Sequence, residues 1–351
     1  MINFLIVFLL SIVFTLLMIK ISKKYGIYDY PNNRKIHKDP IPRIGGAGFL
    51  ISIFISAVFL TDIFEKFTLF TIAMLIIIFE GLLDDLINLH FSQKFIFEFF
   101  SASFIFLSGF GVKTIGFDII LHPAISFIIT IIGFVGVINA FNMIDGLDGL
   151  LTILSIIIFL TFSYFFYILN NFELLKFSLC IVFSLLGFLV FNFPNAKTFM
   201  GDVGALSLGF LSASFSVFLT QSKSSMVPPI IPVIILSIPI FDTIWTIIRR
   251  ILNNYPVFYS DKRHLHHILY SKFGKIKTII ILSALQLFFS TISILFYKLN
   301  EIYLWIIALF CFIFLGVLGY EKSYHIWSVS YTHLRAHETP EHLVCRLLLE
   351  K

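Results

Sequence analysis

Long apolar segments dominate this chain and constrain its fold more than any other feature. With 58% hydrophobic residues, 13% charged residues and a mean hydropathy of +0.97, the chain is too apolar for a water-soluble domain, in which charged residues make up about a quarter. A helix needs roughly 20 apolar residues to cross a bilayer. The sequence therefore predicts an all-α, polytopic membrane protein whose many Ile and Phe side chains face lipid.

About eleven transmembrane helices are predicted from segments of this length. They cover approximately residues 2–19, 44–61, 66–83, 95–110, 124–141, 150–169, 174–193, 204–220, 228–248, 278–297 and 302–320. Arg and Lys concentrate in the loops after the odd-numbered segments, which the positive-inside rule assigns to the cytoplasm. We therefore expect the N-terminus outside, and we attribute the net charge of +5 to membrane orientation rather than to nucleic-acid binding.

The two ends of the chain and its cysteines carry no chemistry in this interpretation. The first segment lacks a basic start and a cleavage site, so we expect a retained helix rather than a signal peptide. Residues 323–351 are polar and unlike the Ile- and Phe-rich body; they resemble translated vector sequence and are expected to be non-native. Cys180, Cys311 and Cys345 show no disulfide or zinc-binding spacing.

Nearly all chemistry-capable residues lie in five hydrophilic loops, and each follows an odd-numbered segment. This placement on one side favours an enzyme that faces the cytoplasm. A transporter or flippase is the main alternative, and it should carry ionisable residues at mid-membrane and on both faces. A binding-only membrane protein with a decayed site is a third alternative, but it should have lost one of the acidic motifs.

Two of these loops carry pairs of carboxylates. Asp84 and Asp85 end the third segment, and alone they fit a solvated helix end equally well. In NMIDGLDG, Asn142, Asp145 and Asp148 would lie on one side if the segment were helical. An ordinary turn and a Ca²⁺ loop are the alternatives, but the EF-hand pattern is missing, and the repeated Asp-Gly behind NAFN favours a ligand site.

The remaining loops offer a carboxylate and a basic cluster. Asp202, between two glycines of FMGDVG, suits Mg²⁺, which takes a few oxygen ligands and bridges to phosphates. Phe199 fits either stacking on a planar base or simple packing at the membrane edge. The stretch from Arg249 to His267 matches what a diphosphate requires; a topological anchor is the alternative, but it has no use for three imidazoles. Asp242 is expected to pair with Arg249 across two helical turns.

Together these motifs resemble those of the polyprenyl-phosphate N-acetylhexosamine-1-phosphate transferases over about residues 20–275. Five motifs occur in the order typical of that family, which are DYPNNRKIHKDPIPRIGG, LLDD followed by Lys94, NAFNMIDGLDGL, FMGDVGAL and DKRHLHH. Two positions depart from the pattern, because Lys262 stands where Arg is usual and Glu98 replaces a common Gln. The resemblance makes residues 1–322 a membrane-embedded sugar-1-phosphate transferase domain.

The resemblance implies a role for each motif residue. The implied catalytic residues are Asp84, Asp85, His264, His266 and His267, the substrate-binding residues are Arg43, Lys94, Asp145, Asp148, Phe199 and Arg263, and the Mg²⁺ ligands are Asn142 and Asp202. Asp84 is the better candidate for deprotonating or positioning the lipid phosphate. Phe199 would face uracil, and the histidines resemble a phosphate-binding finger. Mn²⁺ is an alternative metal.

The resemblance also implies the reaction. A sugar 1-phosphate, with N-acetylglucosamine the preferred sugar, would pass from a UDP-N-acetylhexosamine to undecaprenyl phosphate with release of UMP. This reaction would begin a cell-surface polysaccharide at a bacterial inner membrane; phospho-N-acetylmuramoyl-pentapeptide transfer is the alternative. We favour direct attack over an aspartyl intermediate because the acceptor is itself a nucleophile. A homodimer is left open.

Overall fold

The computed structural model describes residues 2–30, 39–221, 226–252, 254 and 264–319. Arg263, part of the first basic loop and the polar tail of residues 323–351 lie outside the described residues. The helices up to Leu318 form one compact unit.

Helices make up most of this described part, as predicted. They are α1 (Ile2–Tyr25), α2 (Gly45–Leu60), α3 (Ile63–Lys66), α4 (Thr68–Ile87), α5 (Phe91–Ile105), α6 (Pro123–Ile144), α7 (Leu150–Ile168), α8 (Phe172–Asn192), α9 (Gly201–Thr220), α10 (Ile231–Ile235), α11 (Ser237–Leu252), α12 (Leu265–Phe273), α13 (Lys275–Phe296) and α14 (Glu301–Leu318). Two short strands, β1 (Tyr28–Asp29) and β2 (Ile41–Pro42), pair antiparallel in the first loop.

Seven of these helices are long and apolar enough to cross a membrane, by length and composition: α1, α6, α7, α8, α9, α13 and α14. The all-α, multi-pass prediction is therefore confirmed. The ninth predicted segment is divided between α10 and α11. Pro239 lies at the start of α11, and because it has no backbone N–H it cannot donate to the carbonyl of Ile235, which ends α10.

Phenylalanine fills much of the inside of the bundle, in addition to the exposed positions at which many Phe side chains were expected to face lipid. The twelve largest fully buried side chains are all Phe. Many pack edge to face, such as Phe159 and Phe215, whose ring centroids are 5.4 Å apart with an interplanar angle of 86°. This geometry is favoured by the ring quadrupole. Phenylalanine therefore forms much of the protein core, while other Phe side chains, such as Phe59 and Phe310, lie exposed on the outside together with Ile and Leu.

Helix α9 is the central element of the bundle and brings the functional loops together. In the apolar stretch of α9, 94% of the residues are buried inside the protein, whereas in that of α1 only 17% are buried. Glycines allow α2 and α4 to approach its first turn: a Cβ on Gly46 would lie 2.1 Å from the carbonyl oxygen of Met200, and one on Gly81 would lie 2.4 Å from Cα of Val203. Close backbone packing thus places the start of α2 and the C-terminal half of α4 beside the start of α9.

Candidate active site

A cavity of about 530 Å³ lies where the first loop, the end of α6 and the start of α9 meet. Seven of the predicted site residues line it, namely Arg43, Asn142, Asp145, Asp148, Phe199, Asp202 and His267. Asp84, Asp85, Lys94, His264 and His266 do not line it and contact other groups behind it. Four of the five motifs therefore contribute lining residues, whereas LLDD with Lys94 lies behind the cavity and is joined to it by the ion pair of Asp85 with Arg43.

Arg43 links three segments of the chain at this cavity. Its Nε lies 2.8 Å from Oδ1 of Asp85, and its Nη2 lies 2.9 Å from Oδ2 of Asp202. Nη1 also donates to Oδ1 of Asn88 at 3.2 Å. Burial alone would lower the pKa of Arg43, but the two carboxylates outweigh burial and the pKa is raised. The guanidinium is a fixed positive charge that holds the first loop against α4 and α9.

Asp85 caps the N-terminus of α9. Its Oδ1 accepts a hydrogen bond from the backbone N–H of Asp202 at 2.9 Å, and its Oδ2 accepts one from Val203 at 3.1 Å. These are two of the N–H groups that a helix leaves unpaired at its start. Gly201 has a φ of 69°, and a Cβ there would lie 2.5 Å from Oδ2 of Asp85. The glycine before Asp202 is therefore required both by backbone conformation and by space.

Asp84 has different partners from its neighbour. Its Oδ2 forms an ion pair with Nζ of Lys94, and its Oδ1 accepts a hydrogen bond from the backbone N–H of Leu89 at 2.7 Å. Consecutive residues of a helix do not face each other. The ion pairs of the two neighbours thus differ, since Asp85 pairs with Arg43 and Asp84 pairs with Lys94 on α5, while the side chain of Asp84 also interacts with that of Asp202 on α9.

The NMIDGLDG loop differs in conformation from the helical alternative. Helix α6 ends at Ile144, so Asn142 lies in its last turn, whereas Asp145 and Asp148 lie in the following loop. The segment is therefore not the continuous helix considered as one possibility, yet all three side chains reach the same cavity. Burial, followed by the charges of Asp85 and Asp148, raises the pKa of Asp145 to about 7.

Lys275 is a cavity residue that sequence reasoning missed. Its Nζ lies 2.8 Å from Oδ2 of Asp148 and 3.2 Å from Oδ1 of Asn195. It begins α13, just beyond the histidine motif, and no local pattern marks it. Asp29 and Asp39 also line the cavity; both lie within the first quoted motif, so their positions were available as a signal.

The histidine motif is held from behind by Asp242. Oδ2 of Asp242 lies 2.9 Å from Nδ1 of His264, and Oδ1 accepts a hydrogen bond from the backbone N–H of Leu265 at 2.8 Å. Asp242 was expected to pair with Arg249; the hydrogen bonds described here join it to His264 and to the start of α12. Both carboxylate oxygens thus position the segment that leads to His267.

His266 is buried between its neighbours. Its ring centroid lies 5.8 Å from that of His264 and 4.1 Å from that of His267. A Cβ on Gly146 would be 2.2 Å from Nε2 of His266. Burial, followed by the charge of His267, lowers the pKa of His266 to about 3. His266 is therefore neutral at physiological pH and packs the α6–α7 loop against α12, while His267 lines the cavity.

The cavity lining is rich in carboxylate and amide oxygens. Within the described residues, no group of three or more His, Cys, Asp and Glu side chains is arranged to hold a metal ion. Mg²⁺ rarely needs such a cage, because one or two carboxylates, waters and substrate phosphates complete its shell. The oxygens of Asn142 and Asp202 suit such a cation chemically, and Arg43, Lys275 and His267 can contact an anionic ligand.

Comparison with known proteins points to one family. Residues 67–220 match the family described as Glycosyl transferase family 4. The chain is 33% identical to a probable undecaprenyl-phosphate N-acetylglucosaminyl 1-phosphate transferase of Bacillus subtilis over 77% of this chain and 78% of the relative. It is 29% identical to the undecaprenyl-phosphate alpha-N-acetylglucosaminyl 1-phosphate transferase of Thermotoga maritima, over 78% and 83% of the two chains. A Yersinia pestis protein with the latter name is 26% identical over 90% and 89%.

Proposed function

Because this chain belongs to glycosyl transferase family 4, we propose that it transfers N-acetylglucosamine 1-phosphate from a UDP-sugar to undecaprenyl phosphate and releases UMP. The names of its relatives in Bacillus subtilis and Thermotoga maritima supply the sugar and the acceptor. The single observation that carries the proposal is the convergence of oxygen-rich and basic side chains on one cavity in an apolar helical bundle.

The membrane arrangement forms part of the proposal. Eleven spans with the N-terminus outside would place the cavity at the cytoplasmic face of a bacterial inner membrane, because the basic loops lie on that side. A water-soluble UDP-sugar would then enter from the cytoplasm. The prenyl chain of the acceptor would stay in the hydrocarbon while its phosphate reaches the cavity, which explains why a transferase is built into a membrane bundle.

The cavity must bring two anions together. Two like charges 4 Å apart repel by about 4 kcal/mol at an effective dielectric of 20, so neutralisation is the main catalytic task. Asn142 and Asp202 would hold Mg²⁺, which supplies charge neutralisation at the diphosphate when bound. His267 and Lys275 would bind phosphate oxygens, and Phe199 would stack against uracil.

The residues behind the cavity would bind the acceptor phosphate or hold the cavity residues in position. Asp85 holds both Arg43 and the first turn of α9, so it positions Asp202 rather than contacting substrate. Lys94, paired with Asp84, is the cation that the lipid phosphate would meet. Direct attack by this phosphate on the donor phosphorus needs no enzyme nucleophile. A phosphorylated Asp84 or Asp85 formed from UDP-sugar alone would contradict this route.

Release of UMP tests the proposal. Membranes that contain the protein and undecaprenyl phosphate should release UMP from UDP-N-acetylglucosamine, and chelation of divalent cations should stop the release. Asp202→Asn should lose at least about 100-fold in rate, as expected when charge stabilisation at the reacting centre is removed. The matched control is Asp62→Asn, since Asp62 forms an exposed ion pair with Lys66 away from the cavity.

A panel of UDP-sugars in the same assay distinguishes the donors. Preference for UDP-N-acetylmuramoyl-pentapeptide would replace the proposed sugar by the alternative of the same family. Absence of UMP with every donor, or an equal loss in both Asp variants, would contradict the proposed function.

A further inference from the structure

Two buried glutamates lie one helical turn further from the loop than the Asp84–Lys94 ion pair. Glu80 on α4 is 0% exposed and Glu98 on α5 is 1% exposed. Glu80 precedes Asp84 by four residues and Glu98 follows Lys94 by four, so each glutamate shares a helix face with a member of the ion pair. We refer to Glu80 and Glu98 as the inner pair.

The two members of the inner pair have different hydrogen-bond partners. Both carboxylate oxygens of Glu98 accept from Nδ2 of Asn139 on α6, at 2.8 and 3.0 Å. Neither oxygen of Glu80 has a hydrogen-bond partner among the residues that the structure describes. A donor that serves both oxygens stabilises a carboxylate, whereas a buried carboxylate without donors is strongly disfavoured.

The electrostatic interactions of Glu80 and Glu98 distinguish the two glutamates in the same way. Glu80 interacts electrostatically with Glu98, Lys94, Asp84 and Asp202, and Glu98 interacts with Lys94. Lys94 already forms an ion pair with Asp84. Ionisation of both glutamates is disfavoured, because like charges repel in a low-dielectric site and the one cation near them is already engaged by Asp84.

We propose that the inner pair is a proton-binding site in which Glu80 carries the proton and Glu98 remains a carboxylate. A neutral Glu80 needs no donor to stabilise a charge, which fits the absence of a hydrogen-bond partner for its two oxygens among the described residues. We further assign Glu80 a positioning role, which rests on the proposed function. Loss of its proton to solvent would add a negative charge one helical turn from Asp84, and this charge would draw Lys94 inward. Lys94 would then leave the position in which it meets the lipid phosphate.

Infrared spectroscopy of the purified protein tests the proton assignment without any substrate. At neutral pH the wild type should show a protonated-carboxyl C=O component that is lost in Glu80→Gln and persists in Glu98→Gln, the matched control; the contribution of partly protonated Asp145 is common to all three proteins. In the wild type the same band should vanish at alkaline pH, which provides a second measurement if Glu80→Gln does not fold. Loss of the band in Glu98→Gln alone, or a band unchanged in both variants, would overturn the assignment.

The pH profile of UMP release tests the positioning role. Glu80→Gln imitates a permanently neutral Glu80, so it should release UMP at the wild-type rate at neutral pH. The alkaline limit of its pH profile should lie at least about one pH unit higher than that of the wild type, because the variant cannot become charged. A profile identical to that of the wild type would refute the positioning role. If no donor yields UMP, the proposed function fails while the infrared result still decides the proton site.

Discussion

Replacement of Asp242 by Asn should slow transfer although Asp242 lies outside the cavity. Oδ1 can still accept from the Leu265 backbone, but the amide nitrogen would now face Nδ1 of His264, where a carboxylate oxygen stood at 2.9 Å. The amide donates where the carboxylate accepted, which reverses the preferred tautomer of the imidazole. Loss of one hydrogen bond to a charged group costs about 1.5–3 kcal/mol, and a change of about 1.4 kcal/mol corresponds to a tenfold change in an equilibrium or rate constant. We therefore expect a loss of about 10- to 100-fold.

Initial rates of UMP release across pH measure this effect, with thermal unfolding in detergent as a check that the variant is folded. Thr246→Val is the matched control, because Oγ1 of Thr246 lies 3.4 Å from the same Nδ1 at the limit of hydrogen bonding. Its rate should stay close to that of the wild type. A fully active Asp242→Asn, or an equal loss in Thr246→Val, would refute the argument that the carboxylate orients the histidine motif.

Three further perturbations test the geometry. Arg43→Lys should lower the rate of UMP release by about 10- to 100-fold, because one ammonium cannot replace a planar fork that holds two carboxylates. His266→Asn should weaken the pH dependence of unfolding: with the folded pKa lowered to about 3, the unfolded state binds more protons below about pH 6.5, so wild-type stability falls by up to about 1.4 kcal/mol per pH unit on acidification. An unchanged pH slope in calorimetric scans would count against this. Gly46→Ala should destabilise by about 1–3 kcal/mol through its clash with the Met200 carbonyl, whereas Gly133→Ala, with open space around it, should not; equal unfolding temperatures would contradict the packing argument.

The acidic lining of the cavity explains why activity is expected to depend on a bound divalent cation. Asp29, Asp39, Asp145, Asp148 and Asp202 all line it, and an anionic donor would meet this negative charge. The ion pairs that Arg43 and Lys275 form with Asp202 and Asp148 compensate part of it. A bound divalent cation would compensate more, which is the physical reason for the expected loss of activity on chelation.

Local composition was enough to predict the helical class and most of the cavity. Membrane insertion depends on the mean hydropathy of about 20 consecutive residues, so each predicted segment coincides with one helix or with a helix pair. The motif residues stood out because carboxylates, amides and glycines are rare in such a chain. Asn142, Asp145, Asp148 and Asp202 were selected in this way and reach the cavity, whereas Phe199, one of 45 Phe residues, was selected only through the family resemblance.

Tertiary structure alone decided which of these groups touch each other. The rotation of each helix around α9 directs Asp84 to Lys94 and Asp85 to Arg43, a distinction that two identical neighbouring residues cannot show. The pairing of Asp242 with His264 joins residues that are 22 positions apart. Burial of phenylalanine in the core likewise follows from helix packing, since lipid and protein interior are equally apolar and hydropathy cannot distinguish them.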